Sequence, residues 1–184
     1  MAKPLIEQLS KVPLFRGLSP EELLTVASCA KGASLKRGTL LIRHQAPARA
    51  AYVVVSGLFV AELPVPEADA IEMAKMGAGS VIGEPCLVKD GPRALQVRCA
   101  EDAEVIAIDR TLFSALRAKR HPGAYKIVRN ICVTLCDRLR NTNEYIEREY
   151  KHEEHSMGSM IGSKGGLLKR AKGYVRTLMG RGDD

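Results

Sequence analysis

The chain has 184 residues, enough for one domain with an appendage. Its apolar share of 46% can form a core, but aromatics are only 4% and Trp is absent, so that core must be aliphatic. The net charge of +7 favours anionic partners such as nucleotides, nucleic acid or an acidic membrane face, and no apolar run is long enough to span a membrane.

Residues 1–11 read as a lead-in with no signal-peptide core, so a cytoplasmic protein with reduced thiols is expected. Ser19-Pro20-Glu21-Glu22 is a helix start. Ser19 caps, Pro20 fits the first helical position, Glu22 completes a capping box, and Leu18 with Leu23 forms a staple. This helix is predicted to run to about Lys31 and to stop at Gly32. Short extended runs with turn signals then fill residues 33–108. One covers Leu35 to Arg43 and contains Gly38. Ala51 to Leu63 divides into two strands at Ser56-Gly57, and Ala70 to Met76 forms another. Leu95, Val97 and Cys99 alternate with polar residues, and Ala103 to Ile108 is the last strand. Many short strands at this spacing predict a sandwich or barrel.

Asp109 is placed to cap a helix over 110–119, which His121-Pro122 breaks. A long helix over 123–153 follows. Ile127, Val128, Ile131, Cys132, Leu135, Leu139 and Ile146 form one apolar stripe along it, which predicts a helix–helix homodimer. Residues 154–166 are rich in Gly, Ser and Met and read as a flexible linker. The tail, 167–184, holds a basic amphipathic helix, suited to an anionic membrane surface, a partner groove, or loose packing on its own domain.

Five cysteines at scattered spacing argue against a disulfide framework. Cys132 and Cys136, four apart, would make half a metal site at most and read as small core residues. The four histidines form no triad and no metal spacing, so no metal and no catalytic residues are expected, and the chain is read as a non-enzyme.

The informative stretch runs from Val81 to Leu95. Gly83 lets a backbone approach a ligand closely, and a short helical turn from Glu84 through Pro85 and Cys86 offers N–H groups and a positive dipole end. Arg93 can hold a phosphate and Glu84 can accept from a ribose hydroxyl. Taken singly, Glu84 and Arg93 also fit a surface ion pair in a loop.

Gly83, Glu84, Leu87, Pro92, Arg93 and Ala94 resemble, without a gap, the phosphate-binding cassette of cyclic-nucleotide-binding domains, the family of the catabolite activator protein and protein kinase A regulatory subunits. Val12-Pro13-Leu14-Phe15, Ala51 to Gly57 and Ile108-Asp109-Arg110 resemble that family's flanks, so the likeness covers about 12–150. The resemblance implies an α+β fold, a jelly-roll-like antiparallel β-roll with a flanking N-terminal helix and a long C-terminal helix, over 12–153. It implies a receptor for cAMP or cGMP that signals through the long helix to a partner protein. Ala94, where the family's cGMP receptors carry Thr, points to cAMP. Thr142 and Asn143 fall where the family contacts the base, and they fit a wet helix face equally well. Pro85 removes a donor, and Ala46 stands where the family often has Gly. Both departures favour the alternative, a ligand-free scaffold or adaptor with the same fold. About thirty residues follow Glu153, too few for the family's winged helix, so specific DNA binding is not expected.

Overall fold

The computed structural model describes residues 2–157; the tail 167–184 and most of the linker lie outside the described residues. The described residues divide into two units, the first ending at Cys136 and the second beginning at Asp137.

In the first unit, α1 (Ala2–Ser10) occupies the lead-in. A single 3-10 turn, Pro13–Phe15, connects it to α2 (Pro20–Ala27). The expected capping box is present: Ser19 N donates to Glu22 Oε2 at 2.7 Å and Glu22 N donates to Ser19 Oγ at 3.2 Å. The helix ends earlier than its sequence predicts. Lys31 and Gly32 belong to β1 (Ala30–Leu35), where they pair with Ala107 and Ile106 of β8 (Ala103–Asp109). The edge of β8 needs a backbone partner, and that pairing outweighs the local helical preference. The extended run predicted over Leu35 to Arg43 is likewise broken. Gly38 takes φ +85 and separates β1 from β2 (Leu40–Ile42), which join different sheets.

The remaining strands are β3 (Ala50–Ser56), β4 (Phe59–Leu63), β5 (Ile71–Met76), β6 (Val81–Ile82) and β7 (Gln96–Cys99). They form two four-stranded sheets with orders β1-β8-β3-β6 and β2-β7-β4-β5, every pairing antiparallel. This is the expected β-roll. Strands β3 and β8 are buried on both faces, as their nearly continuous apolar runs require. Val54 and Val105, paired across the sheet, pack with Phe59, Val97 and Cys99 of the other sheet. Val53 and Ile106, the adjacent pair, turn to the opposite face and join Leu9, Val26 and Phe113 from the helices.

Asp109 accepts from Leu112 N at 2.9 Å and caps α3 (Arg110–Ala118). The long helix α4 (Pro122–Met157) begins in the first unit. Ile127 and Ile131 are fully buried among side chains of the β-roll and N-terminal helices. Those two positions of the apolar stripe therefore serve the chain's own core and are not available to a second copy. Lys126 Nζ reaches both oxygens of Glu22, at 2.9 and 2.7 Å, and Asn130 Nδ2 donates to the carbonyls of Leu14 and Arg16. These contacts fix the first turns of α4 on the N-terminal helices. In the second unit, Leu139, Tyr145, Ile146 and Tyr150 of α4 are exposed. Among the described residues no helix is long and apolar enough to cross a membrane.

Candidate functional site

The sheets place a short connection between β6 and β7 at one end of the roll. Strand β6 pairs with β3 through Tyr52↔Ile82 and Val53↔Val81, so the chain leaves β6 beside the start of β3. Gly83 then turns with φ +72, a left-handed conformation that favours glycine, and opens a 3-10 helix over Glu84–Leu87. Leu87 and Cys86 anchor that helix in the core. Pro85, at its first turn, is exposed, where the missing N–H breaks no helical bond.

Glu84 and Arg93 are 3% and 9% exposed, the buried charged side chains among the described residues. Charged groups are rarely buried without a purpose that repays their desolvation. Arg93 is held from both ends. Its backbone N donates to Ala46 O at 3.0 Å and its carbonyl accepts from Gln45 N at 2.9 Å, with Pro47 bridging Pro92. Its guanidinium donates through Nη1 to Gly83 O at 3.2 Å and through Nη2 to Ala50 O. Gly83 is thus required twice. A Cβ there would lie 2.2 Å from Nη1 of Arg93. Of the five N–H groups of a guanidinium, these two bonds leave others for an anion.

Cys86 sits inside the same turn. Burial pushes its thiol above the ordinary range, against the opposing charges of Arg93 and Arg110. Ala94, exposed, follows Arg93, and its carbonyl lies 2.9 Å from His44 Nδ1. An open cleft of about 430 Å³ lies alongside, lined by Gln45, Pro47, Asp90, Gly91 and Pro92. Gln45 adopts φ +61, unusual for a non-glycine residue. In the sequence Ala46 stands out only as a departure from the family, and no local signal ties residues 45–47 to 92–93.

Gly83, Glu84, Pro85, Cys86, Arg93 and Ala94 therefore converge in one place. Thr142 and Asn143 belong to the second unit, where both are exposed on α4 and the Thr142 hydroxyl donates to Arg138 O at 2.8 Å. Among the described residues no group of three or more His, Cys, Asp or Glu side chains could hold a metal ion.

Residues 33–120 match the family model for the cyclic nucleotide-binding domain. The chain carries a domain of the cyclic nucleotide-binding family. Over 134 residues it is 31% identical to the cyclic AMP receptor protein of Thermus thermophilus, covering 71% of this chain and 59% of that one. The crystal structure of the Thermus thermophilus catabolite activator protein superposes with a TM-score of 0.65 at 27% identity, over 75% of this chain and 63% of that one. The regulatory domain of Toxoplasma gondii PKA, solved with cAMP, gives 0.59 at 25% identity, over 70% and 48% of the two chains. The chain spans 59% of the first curated relative and 22% and 28% of the next two. The cassette Gly83–Ala94 lies inside the matched region. Among the described residues the domain carries no winged helix.

Proposed function

We propose that the chain is a receptor for a cyclic nucleotide, cAMP in preference to cGMP, that transmits binding through α4 to a partner protein and catalyses no reaction itself. The observation that carries this reading is the burial of one acid and one guanidinium, Glu84 and Arg93, around a left-handed glycine. In this reading Arg93 takes the cyclic phosphate by charge-assisted bonds and Glu84 accepts from the ribose 2′-hydroxyl. Gly83 lets the ligand approach the backbone. Cys86 N donates to Gly83 O at 3.3 Å, and in this reading the phosphate takes that N–H in place of the carbonyl, a contact that Pro85 cannot offer. Ala94 supplies no hydroxyl, which favours cAMP by the family resemblance. By the same resemblance Thr142 and Asn143 are assigned to the base edge.

We assign homodimerisation to the outer part of α4. Leu139 and Ile146 are seven residues apart and Tyr150 four further on, all exposed, a spacing suited to a second helix. The receptor module is placed at 12–153, with 154–166 as linker and 167–184 as a basic tail for an anionic partner or membrane surface. The five cysteines are free thiols, in keeping with the proposed cytoplasmic location; Cys29, Cys86 and Cys99 are buried, but Cys132 and Cys136 are exposed on α4 and are not the core residues their spacing suggests.

One observation favours a second reading, a scaffold without ligand. The Arg93 guanidinium is already bonded to two carbonyls of its own chain. Calorimetric titration with cAMP, cGMP and AMP decides between them. Saturable binding of cAMP, weaker binding of cGMP and none of AMP is expected. No heat with either cyclic nucleotide would overturn the receptor reading in favour of the scaffold.

A further inference from the structure

The short helix Glu84–Leu87 has guanidinium groups at both ends. Arg93 holds its leading end through Gly83 O. At its trailing end the carbonyls of Leu87 and Val88 have no further turn to bond to, as at any helix terminus. Arg117, half-buried in the last turn of α3, donates from one nitrogen, Nη1, to both carbonyls, at 2.8 and 3.0 Å. A second link joins the same elements: Arg110 Nη1 lies 2.9 Å from Asp90 Oδ2, two residues beyond Val88. Asp90 is 68% exposed, and a pair that open to water contributes little. The Arg117 bonds are shielded and charge-assisted, and they dominate. Phe113 of α3 and Leu87 of the short helix belong to the same buried cluster, so apolar packing supports the link without directing it.

We propose that Arg117 is a positioning residue that makes the cassette helix and α3 move as one body. A phosphate arriving at Arg93 competes with Gly83 O for the guanidinium and re-sets the leading end of the short helix around the ligand. The trailing end stays tied to α3 through Arg117. Any shift of the cassette is then passed to α3, and from there to α4. That last step is short: His121 N donates to Leu116 O of α3, and Ala124 N of α4 donates to His121 O, both at 3.0 Å. The transmission step rests on the receptor reading; the clamp itself does not.

The test is hydrogen exchange on the full chain, comparing wild type, Arg117→Met and Arg117→Lys. Val88 N and Lys89 N, both donating to Pro85 O at 3.0 Å, report on the cassette, and Lys119 N, donating to Ala115 O at 3.1 Å, reports on the end of α3. Without nucleotide, Arg117→Met should speed exchange at Val88 and Lys89 about tenfold, the loss of a charge-assisted bond, while Cys99 N in the second sheet is unchanged. Arg117→Lys, which keeps the charge but not the planar fork, should fall between. With cAMP, protection in wild type should extend from the cassette into α3; in Arg117→Met it should stop at the cassette. Unchanged exchange at Val88 and Lys89 in Arg117→Met overturns the clamp. A clamp that holds, with equal spread of protection in both proteins, overturns the transmission role. If wild type gains no protection from cAMP or cGMP, the receptor reading and the transmission fail together, and the nucleotide-free comparison still decides the clamp.

Discussion

Replacing Gly83 with alanine tests the site where backbone and ligand requirements meet. Gly83 holds φ +72, and an L-residue in that region costs about 1–2 kcal/mol. The added Cβ would also stand 2.2 Å from Nη1 and 3.1 Å from Cζ of Arg93. The guanidinium must move, which breaks its 3.2 Å bond to Gly83 O. A hydrogen bond to a charged group contributes about 1.5–3 kcal/mol, and the lower end applies here because the side chain can swing toward water. Gly83→Ala should therefore lose about 2–4 kcal/mol of folding stability, roughly 5–15 °C in Tm for a domain of this size. Nucleotide affinity should fall more than about tenfold, because the group proposed to bind the phosphate is displaced. Gly79→Ala is the control. Gly79 has φ +84, and a Cβ there meets nothing within 4 Å, so only the backbone cost of about 1–2 kcal/mol applies. Thermal melts and calorimetry on the two variants separate the effects. If Gly83→Ala matches Gly79→Ala in both Tm and nucleotide affinity, the assigned contact between Gly83 and Arg93 does not govern the site.

Arg93→Ala should weaken cAMP binding by about 2–4 kcal/mol and also lower Tm, since the carbonyls of Gly83 and Ala50 each lose a charged donor; equal titration curves for variant and wild type would refute the assignment. Ile131→Asp should unfold the first unit, at a cost on the order of 4 kcal/mol or more, because a charge enters a fully buried position. Ile146→Asp, at a side chain 45% exposed, should leave Tm nearly unchanged and convert a dimer to a monomer by light scattering; a variant that stays dimeric rules out this part of α4 as the seam. Glu22 titrates below the usual carboxylate range, held there by Lys126 first and by the Ser19 backbone N–H second. A depressed pKa stabilises the fold above the unfolded value of about 4.3 and loses that contribution as pH falls through the folded value. Glu22→Gln should therefore flatten the fall of Tm on the acid side of that value; an unchanged acid slope counts against the Lys126 contact.

The features legible in the sequence are those whose causes lie within a few residues. Ser19 and Glu22 cap each other across one turn, Asp109 caps α3 three residues on, and Ser56-Gly57 separates β3 from β4. The nearness of Gly83, Glu84 and Arg93 is legible for the same reason, since they lie in one unbroken stretch, and their role as a nucleotide cassette remains the proposal. What the sequence hides is the far partner. The start of β1 at Ala30 is set by Ile108, and one donor of the Arg93 guanidinium goes to Ala50, 43 residues away. Arg117 reads as an ordinary cation near a helix end, and only the fold shows that it serves carbonyls 29 and 30 residues earlier.

Helix α4 marks the same boundary between local and distant causes. A three-and-four apolar spacing states which side chains share a face, but not what that face meets. Ile127 and Ile131 are fully buried within their own domain, whereas Leu139 and Ile146 are exposed. One stripe in the sequence is therefore divided by the fold into a stretch that holds the helix on the β-roll and a stretch left exposed, the one assigned above to the dimer. The division has a consequence for signalling. The first stretch is pinned at its polar edge by Lys126 to Glu22 and by Asn130 to the carbonyls of Leu14 and Arg16. A signal that shifts the start of α4 must work against those bonds. Changes at Lys126 and Asn130 should therefore alter how readily the helix responds while leaving nucleotide contacts intact, a difference visible as altered helix protection at unaltered cAMP affinity. If both variants instead lose affinity in step with protection, α4 acts on the site directly and the hinge lies elsewhere.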